Sequence, residues 1–389
     1  MITLFWILIC VVVYTYIIYP GIVFILSEII LFFRNSNFNQ SELFEPEVTL
    51  FVTAYNEIDF VDAKVQNSFS LDYPKEKLHF VWITDGSDDG TYEALKKYKE
   101  LSVYHETERK GKINALNRGM QFVKTPIVIF SDANTLLNKE SIRAIVQEFK
   151  NEKNGCVTGR KRIIPLNKDN AVNSGEGIYW QYESLLKKAE SNVNSAIGAV
   201  GELFAIRTEL FEAVESDTIL DDFIISLQIA QKGYQIKFAS NAIASERASI
   251  SIHEELKRKI RIAYGGFQTL FRLKKLLNPF YHLVLTLQYI SHKVLRWAVV
   301  PFSYPMLFLI NIYLVIVSPH TVLYNLLFVA QSIFYLFVFA GYILQSKRIS
   351  FKLIFVPYYL FIMNLSVIAG FIRFLKKSQS VNWERSERE

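Results

Sequence analysis

One short polar stretch in the first half of the chain carries side chains that bind divalent metal ions. Asp132 and Asn134, separated by one residue, follow an apolar run from Pro126 to Ile129 that is typical of a buried strand. Oxygen atoms from both side chains can reach one ion, and such ligands suit Mg²⁺ or Mn²⁺. The stretch is therefore a candidate metal site. The alternative interpretation is an ordinary turn, in which Asp and Asn are also common.

Two other polar clusters follow β-rich runs in the same way. Ala54–Glu57 comes after Val48–Thr53, and Asp85–Gly90 comes after Phe80–Thr84. The pattern is completed by β-rich runs at Val103–His105 and Ile127–Ser131 and by helical stretches at Thr91–Glu100 and Lys112–Val123. Strands that alternate with helices predict a mostly parallel sheet, whose ligands bind beyond the carboxyl ends of the strands. We therefore expect the three clusters at one site, although Asp85–Gly90 alone could be only a turn.

A basic segment, Arg109 to Lys112, opens a predicted helix that continues through Gly119. Basic side chains and the free backbone N–H groups of a helix start bind anions, and a diphosphate matches both. The alternative interpretation is a solvated run of charge. Beside the carboxylate clusters, we expect the segment to face a metal-bound nucleotide.

An acidic pair, Asp221 and Asp222, stands in an apolar setting between Leu220 and Phe223. Adjacent carboxylates away from water should raise the pKa of one of them, and a carboxylate that titrates near neutral pH can act as a general base. The pair could equally cap a helix over Phe223–Gln231, and capping and catalysis are compatible. Upstream, the small-residue run over 198–204 could let a ligand approach the backbone.

Apolar residues are concentrated at the two ends of the 389-residue chain, which is 51% hydrophobic. The run from Met1 to Leu26 is long enough to cross a bilayer, and it lacks the basic start and the small-residue cleavage site of a removed signal peptide. Residues 253–277 have a basic, amphipathic pattern that suits a membrane surface. Three uncharged blocks of spanning length follow, at Trp297–Val317, Thr321–Gln345 and Leu353–Ile372.

These patterns divide the chain into five segments. They are an N-terminal transmembrane helix over 1–33, an α/β domain over 46–250, amphipathic interface helices over 251–296, three transmembrane helices over 297–372 and a polar tail over 373–389. Four crossings put the tail and the α/β domain on opposite sides of the membrane. The tail is basic, however, and so is the link at Lys347 and Arg348, and basic segments favour the cytoplasmic side. A re-entrant region over 280–317 would remove this conflict. In that region we expect His282 and His292 to be interfacial anchors rather than metal ligands.

The net charge of +6 is compatible with nucleic acid, an anionic lipid surface or an anionic substrate. No zinc-ligand spacing, basic arm or aromatic–basic motif supports nucleic acid as a partner. The two cysteines, Cys10 and Cys156, lie in an apolar block and in the α/β segment, so they indicate no disulfide framework.

With its motifs in this order, from the N-terminal span to the segment Gln379–Arg385, the chain resembles the membrane-embedded glycosyltransferases of family 2. That group contains cellulose, hyaluronan and poly-N-acetylglucosamine synthases. The resemblance implies a cytoplasmic domain of α/β GT-A fold, Rossmann-like with a mostly parallel sheet, joined to an α-helical transmembrane region in a multi-pass protein of the cell membrane. It also implies an inverting transfer from a nucleotide-sugar, a UDP-sugar, to a growing glycan, with Mg²⁺ or Mn²⁺ as cofactor.

The same resemblance gives roles to individual residues. The positions that match donor-binding residues are Tyr55, Glu57, Asp85 and Lys112, together with Arg258 and Arg261 in a stretch similar to the Gln/Arg-x-x-Arg-Trp motif. Asp132 and Asn134 match the metal motif, which is usually Asp-x-Asp, and Gly201, Glu202 and Leu203 match the acceptor cradle. Asp221 and Asp222 look like the end of the Thr-Glu-Asp motif, with Asp222 at the position of the base.

Two departures from the family pattern bear on the product. Asn134 replaces the second carboxylate of the metal motif, which removes one negative charge from the metal site. Ile262 replaces the tryptophan associated with processive polymerisation, so a single addition to a lipid-linked acceptor is an alternative to chain growth. A third alternative is a non-catalytic transporter or scaffold that senses a nucleotide-sugar. Charged residues within spans would favour transport, and the three C-terminal blocks contain none.

Overall fold

The computed structural model describes residues 1–34, 43–164, 171–247, 252–345 and 352–380, and it consists of an α/β domain and a group of apolar helices. Lys347 and Arg348 of the basic link, and the end of the tail with Arg385 and Arg388, lie outside the described residues. The same holds for the end of the segment Gln379–Arg385, of which only the first two residues are described.

In the described part of the chain, the domain is built on one sheet of eight strands in the order β3-β2-β1-β4-β7-β6-β8-β5. The strands are β1 Val48–Ala54, β2 Leu78–Asp85, β3 Ser102–Glu106, β4 Ile127–Asp132, β5 Leu136–Leu137, β6 Asn154–Ile164, β7 Leu203–Arg207 and β8 Gln235–Arg247. β3, β2, β1 and β4 are parallel, as are β6 and β8, whereas β7 runs antiparallel to both of its neighbours. The mostly parallel sheet expected from the sequence is therefore confirmed, and every predicted strand is present.

Helices cover both faces of this sheet. They are α3 Ile58–Phe69, α4 Thr91–Leu95, α5 Lys112–Met120, α6 Ser141–Glu148, α7 Ala171–Val193, α8 Asp221–Gln231 and α9 Ile252–Arg272. Successive strand residues point to opposite faces, so Phe51 enters one apolar core while Leu50 and Val52 enter the other. On the first face α5 approaches closely, because a Cβ atom at Gly119 would overlap the rings and side chains beneath it. The predicted helices at 91 and 112 begin where expected but end earlier.

Among the described residues, the apolar part contains four helices that are long and apolar enough to cross a membrane: Ile2–Phe33, Leu283–Val317, Val322–Leu344 and Ile354–Lys376. They consist of α1 Ile2–Val13, a π-helical turn Tyr14–Ile18 and α2 Tyr19–Arg34; α10 Leu283–Tyr289, a π-helix Ile290–Val299 and α11 Val300–Val317; α12 Val322–Gln345; and α13 Lys352–Lys376. The first helix continues through Pro20, although proline often bends or ends a helix. Its hydrogen-bonding pattern changes in the turn just before, because Pro20 has no N–H to donate.

One boundary from the sequence differs from the structure. The sequence puts the interface segment up to residue 296 and the first C-terminal span from Trp297, whereas Leu283–Val317 is one continuous helix. Three charged or ionisable residues, His292, Lys293 and Arg296, therefore belong to a candidate span. The block Trp297–Val317 itself carries no charge, whereas the longer helix that contains it does. Local hydropathy could not reveal this, because the partners of these residues lie in the α/β domain.

Candidate active site

The carboxyl ends of the strands and the starts of two helices meet at one cavity of about 750 Å³. Its lining includes most of the site residues expected from the sequence: Lys112, Asp132, Gly201, Glu202, Asp221, Asp222, Arg258 and Arg261. A shallow recess lined by Tyr55, Asp85 and Arg109 adjoins it, and Lys112 lines both. The cavity also reaches residues of the apolar helices, among them Trp297 and Met363. The clusters that are separate in sequence thus form one site.

Lys112 is the central cation of the site. Its ammonium lies 3.0 Å from Asp132 Oδ1 and 3.2 Å from Asp221 Oδ2. Burial alone would lower the pKa of Lys112, but Asp132 and Asp221 outweigh it and hold the pKa above its ordinary value. Lys112 begins α5 directly after Gly111, whose φ of 90° favours glycine. The lysine is therefore charged, and it is fixed between the C-terminal end of β4 and the N-terminal end of α8.

Asp85 holds the basic segment against the end of β2. Its carboxylate accepts hydrogen bonds from the backbone N–H groups of Lys110, at 3.1 Å, and Gly111, at 2.6 Å. Burial raises the pKa of Asp85, and these two hydrogen bonds act against that rise. Next to it, the Arg109 guanidinium stacks on the Tyr55 ring at 3.8 Å from its centroid. Sequence reasoning did not single out Arg109 as the partner of Tyr55, because that contact depends on how the loop folds back.

The residues at the candidate metal position fit a divalent cation. The buried Oδ1 of Asn134 has no hydrogen-bond partner among the residues that the structure describes, and an unpaired carbonyl oxygen is suited to ligate a metal. Asp132 supplies a carboxylate two residues away, with Oδ1 on Lys112. Within the described ranges no three His, Cys, Asp or Glu residues cluster in a way that would hold an ion. A metal bound here would therefore need further oxygen atoms from a ligand and water.

A buried lysine that the sequence analysis missed supports this loop. Lys64, on α3, donates hydrogen bonds to Ser131 Oγ at 2.6 Å and to the Thr135 carbonyl at 2.7 Å. The two contacts lie on either side of Asp132 and Asn134 in the chain, so they fix the loop at both ends. No local pattern reveals Lys64, because its partners are more than 60 residues away.

Asp222 has the properties of a general base. Burial and the neighbouring Asp221 raise its pKa to about 7, although Lys112 acts in the opposite direction. The Asp222 carboxylate faces the backbone of Gly201, where an added Cβ atom would lie 3.4 Å from Oδ2. Phe223 and most other α8 side chains are buried in the core, so the helix start is held rigidly. The acidic pair thus both begins α8 and faces the cavity.

Gly201, Glu202 and Leu203, which were expected to form the acceptor cradle, lie in different environments. The carboxylate of Glu202 pairs with Lys161, which also contacts Glu246 at 2.5 Å. Burial would raise the pKa of Glu202, but Lys161 dominates and lowers it to about 2. Leu203 is fully buried within the sheet, so its side chain does not reach the cavity. Gly201 and Glu202 line the cavity, whereas Leu203 anchors them to β7.

Two other residues expected to bind the donor, Glu57 and Arg258, already have partners or packing within the protein. Glu57 is 2% exposed and precedes α3, so its side chain is part of the packed interior in this structure. Arg258 lines the cavity but also donates to both oxygens of Glu255, at 3.0 and 3.1 Å. Arg261 and Ile262 follow on the same helix and face the same cavity.

An ion-pair network holds the apolar helices against the domain beside this cavity. The ring nitrogens of His292 lie 2.8 Å from Glu190 Oε1 and 3.0 Å from Glu183 Oε1. Lys293 and Arg296 also contact Glu183, at 2.6 and 3.1 Å. His292 is thus a buried link to α7. Its two carboxylate partners lie more than 100 residues away in the chain, so sequence spacing does not reveal them.

The sequence of this chain matches a known family and several curated proteins. Residues 49–214 match the family model described as glycosyl transferase family 2. The chain is 28% identical over 235 residues to a poly-beta-1,6-N-acetyl-D-glucosamine synthase of Staphylococcus aureus strain MSSA476, covering 58% of this chain and 56% of the relative. It is 27% identical over 274 residues to the synthase of Staphylococcus epidermidis, covering 66% of this chain and 65% of that one. The chain thus spans between half and two thirds of the length of these curated relatives.

A solved structure has the same overall fold. The mannosyltransferase PcManGT from Pyrobaculum calidifontis, in complex with GDP-Man and Mn²⁺, superposes with a TM-score of 0.71 at 21% identity, over 97% of this chain and 100% of that one. This likeness confirms the GT-A-like fold expected from the sequence. Residues 49–214 thus match glycosyl transferase family 2, and the chain, which has apolar helices of membrane-spanning length, is similar to the poly-N-acetylglucosamine synthases.

Proposed function

We propose that this protein transfers a sugar from a nucleotide-sugar, a UDP-sugar, to the end of a growing glycan at the cytoplasmic face of a membrane, with inversion at the anomeric carbon. The observation that carries this proposal is the position of Asp222. It is a half-buried carboxylate with a pKa of about 7, and it shares one cavity with Lys112 and with Asp132 of the candidate metal position. A base and a cationic leaving-group site in one cavity are what a direct displacement requires.

The donor is proposed to bind across the recess and the cavity. Tyr55 and Asp85 line the recess, which suits the nucleoside, and Lys112 stands where the recess meets the cavity, which suits the diphosphate. Asp132 and Asn134 would hold Mg²⁺ or Mn²⁺ against the same diphosphate. The bound metal would neutralise the charge that develops on the leaving group. The Mn²⁺ in the PcManGT complex and the N-acetylglucosamine polymers named for the relatives support this choice of cofactor and an N-acetylhexosaminyl donor.

Asp222 is the proposed proton acceptor. As its carboxylate takes the proton of an acceptor hydroxyl, the oxygen forms a bond to the anomeric carbon. The bond from that carbon to the diphosphate oxygen breaks on the opposite side, and its electron pair stays on the nucleoside diphosphate. Lys112 stabilises that negative charge. Because attack and departure occur on opposite faces in one step, the configuration inverts, as in inverting hydrolases.

The size and lining of the cavity support a glycan as acceptor. From Asp222 it extends along Trp180, Trp297 and Arg296, and flat aromatic rings and polar groups are suited to sugar faces and hydroxyls. A second candidate is a single addition to a lipid-linked acceptor. It is favoured by Ile262 in place of an aromatic residue and by the apolar residues Met363 and Val367 in the same cavity wall.

A donor panel tests the proposal. The purified protein in lipid vesicles would be given single UDP- and GDP-sugars with Mn²⁺ or Mg²⁺, and released nucleoside diphosphate and product linkage would be measured. We expect turnover with a UDP-N-acetylhexosamine and a product of inverted configuration. Turnover with a retained configuration would contradict the displacement mechanism, and turnover with GDP-sugars alone would contradict the proposed donor. Absence of turnover with every donor, from protein that binds nucleotides, would favour the non-catalytic alternative for this chain.

A further inference from the structure

A buried lysine lies in the wall of the cavity, apart from the residues assigned to the donor and the metal. Lys187, on α7, is 4% exposed and lines the cavity together with Asp222. Its ammonium donates hydrogen bonds to the carbonyl oxygens of Gly198, at 2.8 Å, and Ala199, at 3.4 Å. A lysine is rarely buried without a specific partner, because its charge is costly to remove from water. Here the partners are two backbone carbonyls.

The Lys187 ammonium stays mostly charged at neutral pH. Burial and the nearby Lys293 lower the pKa of Lys187 to about 8, while Glu183 and Asp222 act in the opposite direction. A lysine with a pKa one unit above neutral keeps about nine tenths of its charge at pH 7. Hydrogen bonds from a charged donor are stronger than those between neutral groups. The two carbonyls are therefore held firmly against α7.

Both carbonyls belong to a loop that faces the proposed base, residues 198–202 before β7, named here the acceptor loop. Gly198 has a φ of 80°, which favours glycine, and a Cβ atom there would overlap the ring of Phe223. The other four residues of the loop line the cavity. The backbone of the loop thus forms part of the cavity wall, and its start is fixed by close packing on α8.

Hydrogen bonds from two further elements hold the same loop. The backbone N–H of Val200 donates to Thr158 Oγ1 on β6, at 2.9 Å. The N–H of Ala199 donates to Ser226 Oγ on α8, also at 2.9 Å, and Ser226 Oγ donates in turn to the carbonyl of Asp222 at 2.7 Å. The acceptor loop is therefore held from α7, β6 and α8, and its contact with α8 leads directly to the proposed base.

The end of the acceptor loop lies beside the Asp222 carboxylate. A Cβ atom at Gly201 would lie 3.4 Å from Asp222 Oδ2. An acceptor hydroxyl that gives its proton to Asp222 must therefore bind next to this backbone. The rate of a displacement depends steeply on the position of the attacking oxygen, and an error of about 1 Å can cost about 10²-fold. The position of the loop is thus important for transfer.

We propose that Lys187 is a positioning residue for the acceptor: by holding the carbonyls of Gly198 and Ala199, it fixes the acceptor loop so that an acceptor hydroxyl, rather than water, reaches the base. This role rests on the proposed transfer reaction and adds to it a residue outside the motifs found in the sequence. The donor recess is lined by other residues, so a change at Lys187 should spare donor binding.

Steady-state kinetics of the full-length protein in lipid vesicles separate this role from a general loss of structure. The donor would be UDP-N-acetylglucosamine, and the acceptors would be short N-acetylglucosamine oligomers. Lys187→Met should raise the acceptor KM about tenfold and leave the donor KM within about twofold of wild type. The share of released UDP that yields no glycosidic bond should rise, because water replaces the misplaced acceptor. Lys188→Met, at the exposed neighbour on the same helix, is the matched control and should behave as wild type.

A conservative variant tests whether the charged donor is what matters. Lys187→Arg keeps the charge and the N–H groups, so its acceptor KM should lie closer to that of wild type than the KM of Lys187→Met does. An unchanged acceptor KM in Lys187→Met, or equal losses of donor and acceptor affinity, would overturn the proposal. Absence of transfer by the wild type to every oligomer would instead contradict the proposed function.

Amide hydrogen exchange follows the acceptor loop without turnover. In Lys187→Met the amides of Ala199 and Val200 should exchange at least about tenfold faster than in wild type, because the loop has lost one of its attachments. Thr158→Val removes another attachment of the same loop without changing a charge, so it should have a similar effect, whereas Lys188→Met should have none. Exchange at the wild-type rate in Lys187→Met would overturn the proposal, whichever acceptor the enzyme uses.

Discussion

The ammonium of Lys112 lies 3.2 Å from the carboxylate of Asp221, and this ion pair joins the donor side of the site to the acidic pair that contains the proposed base. Lys112 belongs to the start of α5 and Asp221 to the start of α8, more than 100 residues later. Because Asp132 contacts the same ammonium, a diphosphate that binds here would exchange ion pairs with Lys112 rather than meet an isolated cation.

The first prediction concerns Lys112. Lys112→Met keeps most of the side-chain length and removes the charge, so donor affinity should fall and kcat should drop by roughly 10²–10³. Lys110→Met is the matched control, because Lys110 forms exposed pairs in the same segment. Nucleotide binding by calorimetry and initial rates would separate the two effects. Equal losses in both variants would mean that Lys112 contributes only general positive charge.

The second prediction concerns the metal. Asp132→Ala should lose both Mn²⁺ affinity and activity, whereas Asn134→Ala should lose less, because an amide oxygen is a weaker ligand than a carboxylate. Asn134→Asp should tighten Mn²⁺ binding by restoring a charge. Mn²⁺ binding followed by electron paramagnetic resonance, with nucleotide present, provides a readout apart from turnover. Full activity of metal-free wild-type protein in chelator would rule out the metal site.

The third prediction is a pH dependence. With the pKa of Asp222 raised to about 7 by burial and by Asp221, the base is increasingly protonated below that pH, and kcat/KM should fall about tenfold per pH unit there. Asp221→Asn removes a charge that raises this pKa, so the acidic limb should move to lower pH. Asp72→Asn, at an exposed carboxylate paired with Arg143, is the control. An acidic limb that stays in place in Asp221→Asn would assign it to another group.

The fold was predictable from the sequence because its pattern is local. The runs around Val52, Ile83 and Ile129 are apolar, and polar residues follow each of them, so their order alone indicates a parallel sheet with a site at one edge. The residues that were missed act across long distances in the chain. Lys64, Glu183 and Glu190 depend on partners about 70 to 110 residues away. Spacing cannot reveal such pairs.

The apolar helices show the same limit of prediction from sequence. Hydropathy finds α13 as a block of spanning length, since composition is the only property it measures. Whether such a block crosses a bilayer depends on its neighbours, and for α13 the neighbour is α9 of the catalytic domain. A tail that returns to the cavity at Gln379 is likewise a tertiary property.

The fourth prediction concerns the product and is based on Ile262, which faces the cavity. An aliphatic side chain is a poor substitute for an aromatic ring against a sugar face, and the difference is worth about 1 kcal/mol, roughly tenfold in retention. Ile262→Trp should therefore lengthen the product while the rate of first addition stays within a few-fold. A size profile of radiolabelled product at limiting acceptor is the measurement. Wild-type chains of great length would show that retention comes from elsewhere, with Trp180 and Trp297 as the next residues to test.

The most direct test of the central claim is the comparison of wild type with Asp222→Asn. The amide keeps the size of the side chain and the start of α8 but cannot accept the proton, so we expect donor affinity within a few-fold of wild type and a transfer rate lower by roughly 10²–10⁴. Thermal stability close to that of wild type would show that the fold is intact. Transfer by Asp222→Asn at a near wild-type rate would contradict the assignment of Asp222 as the base, and with it the proposed mechanism.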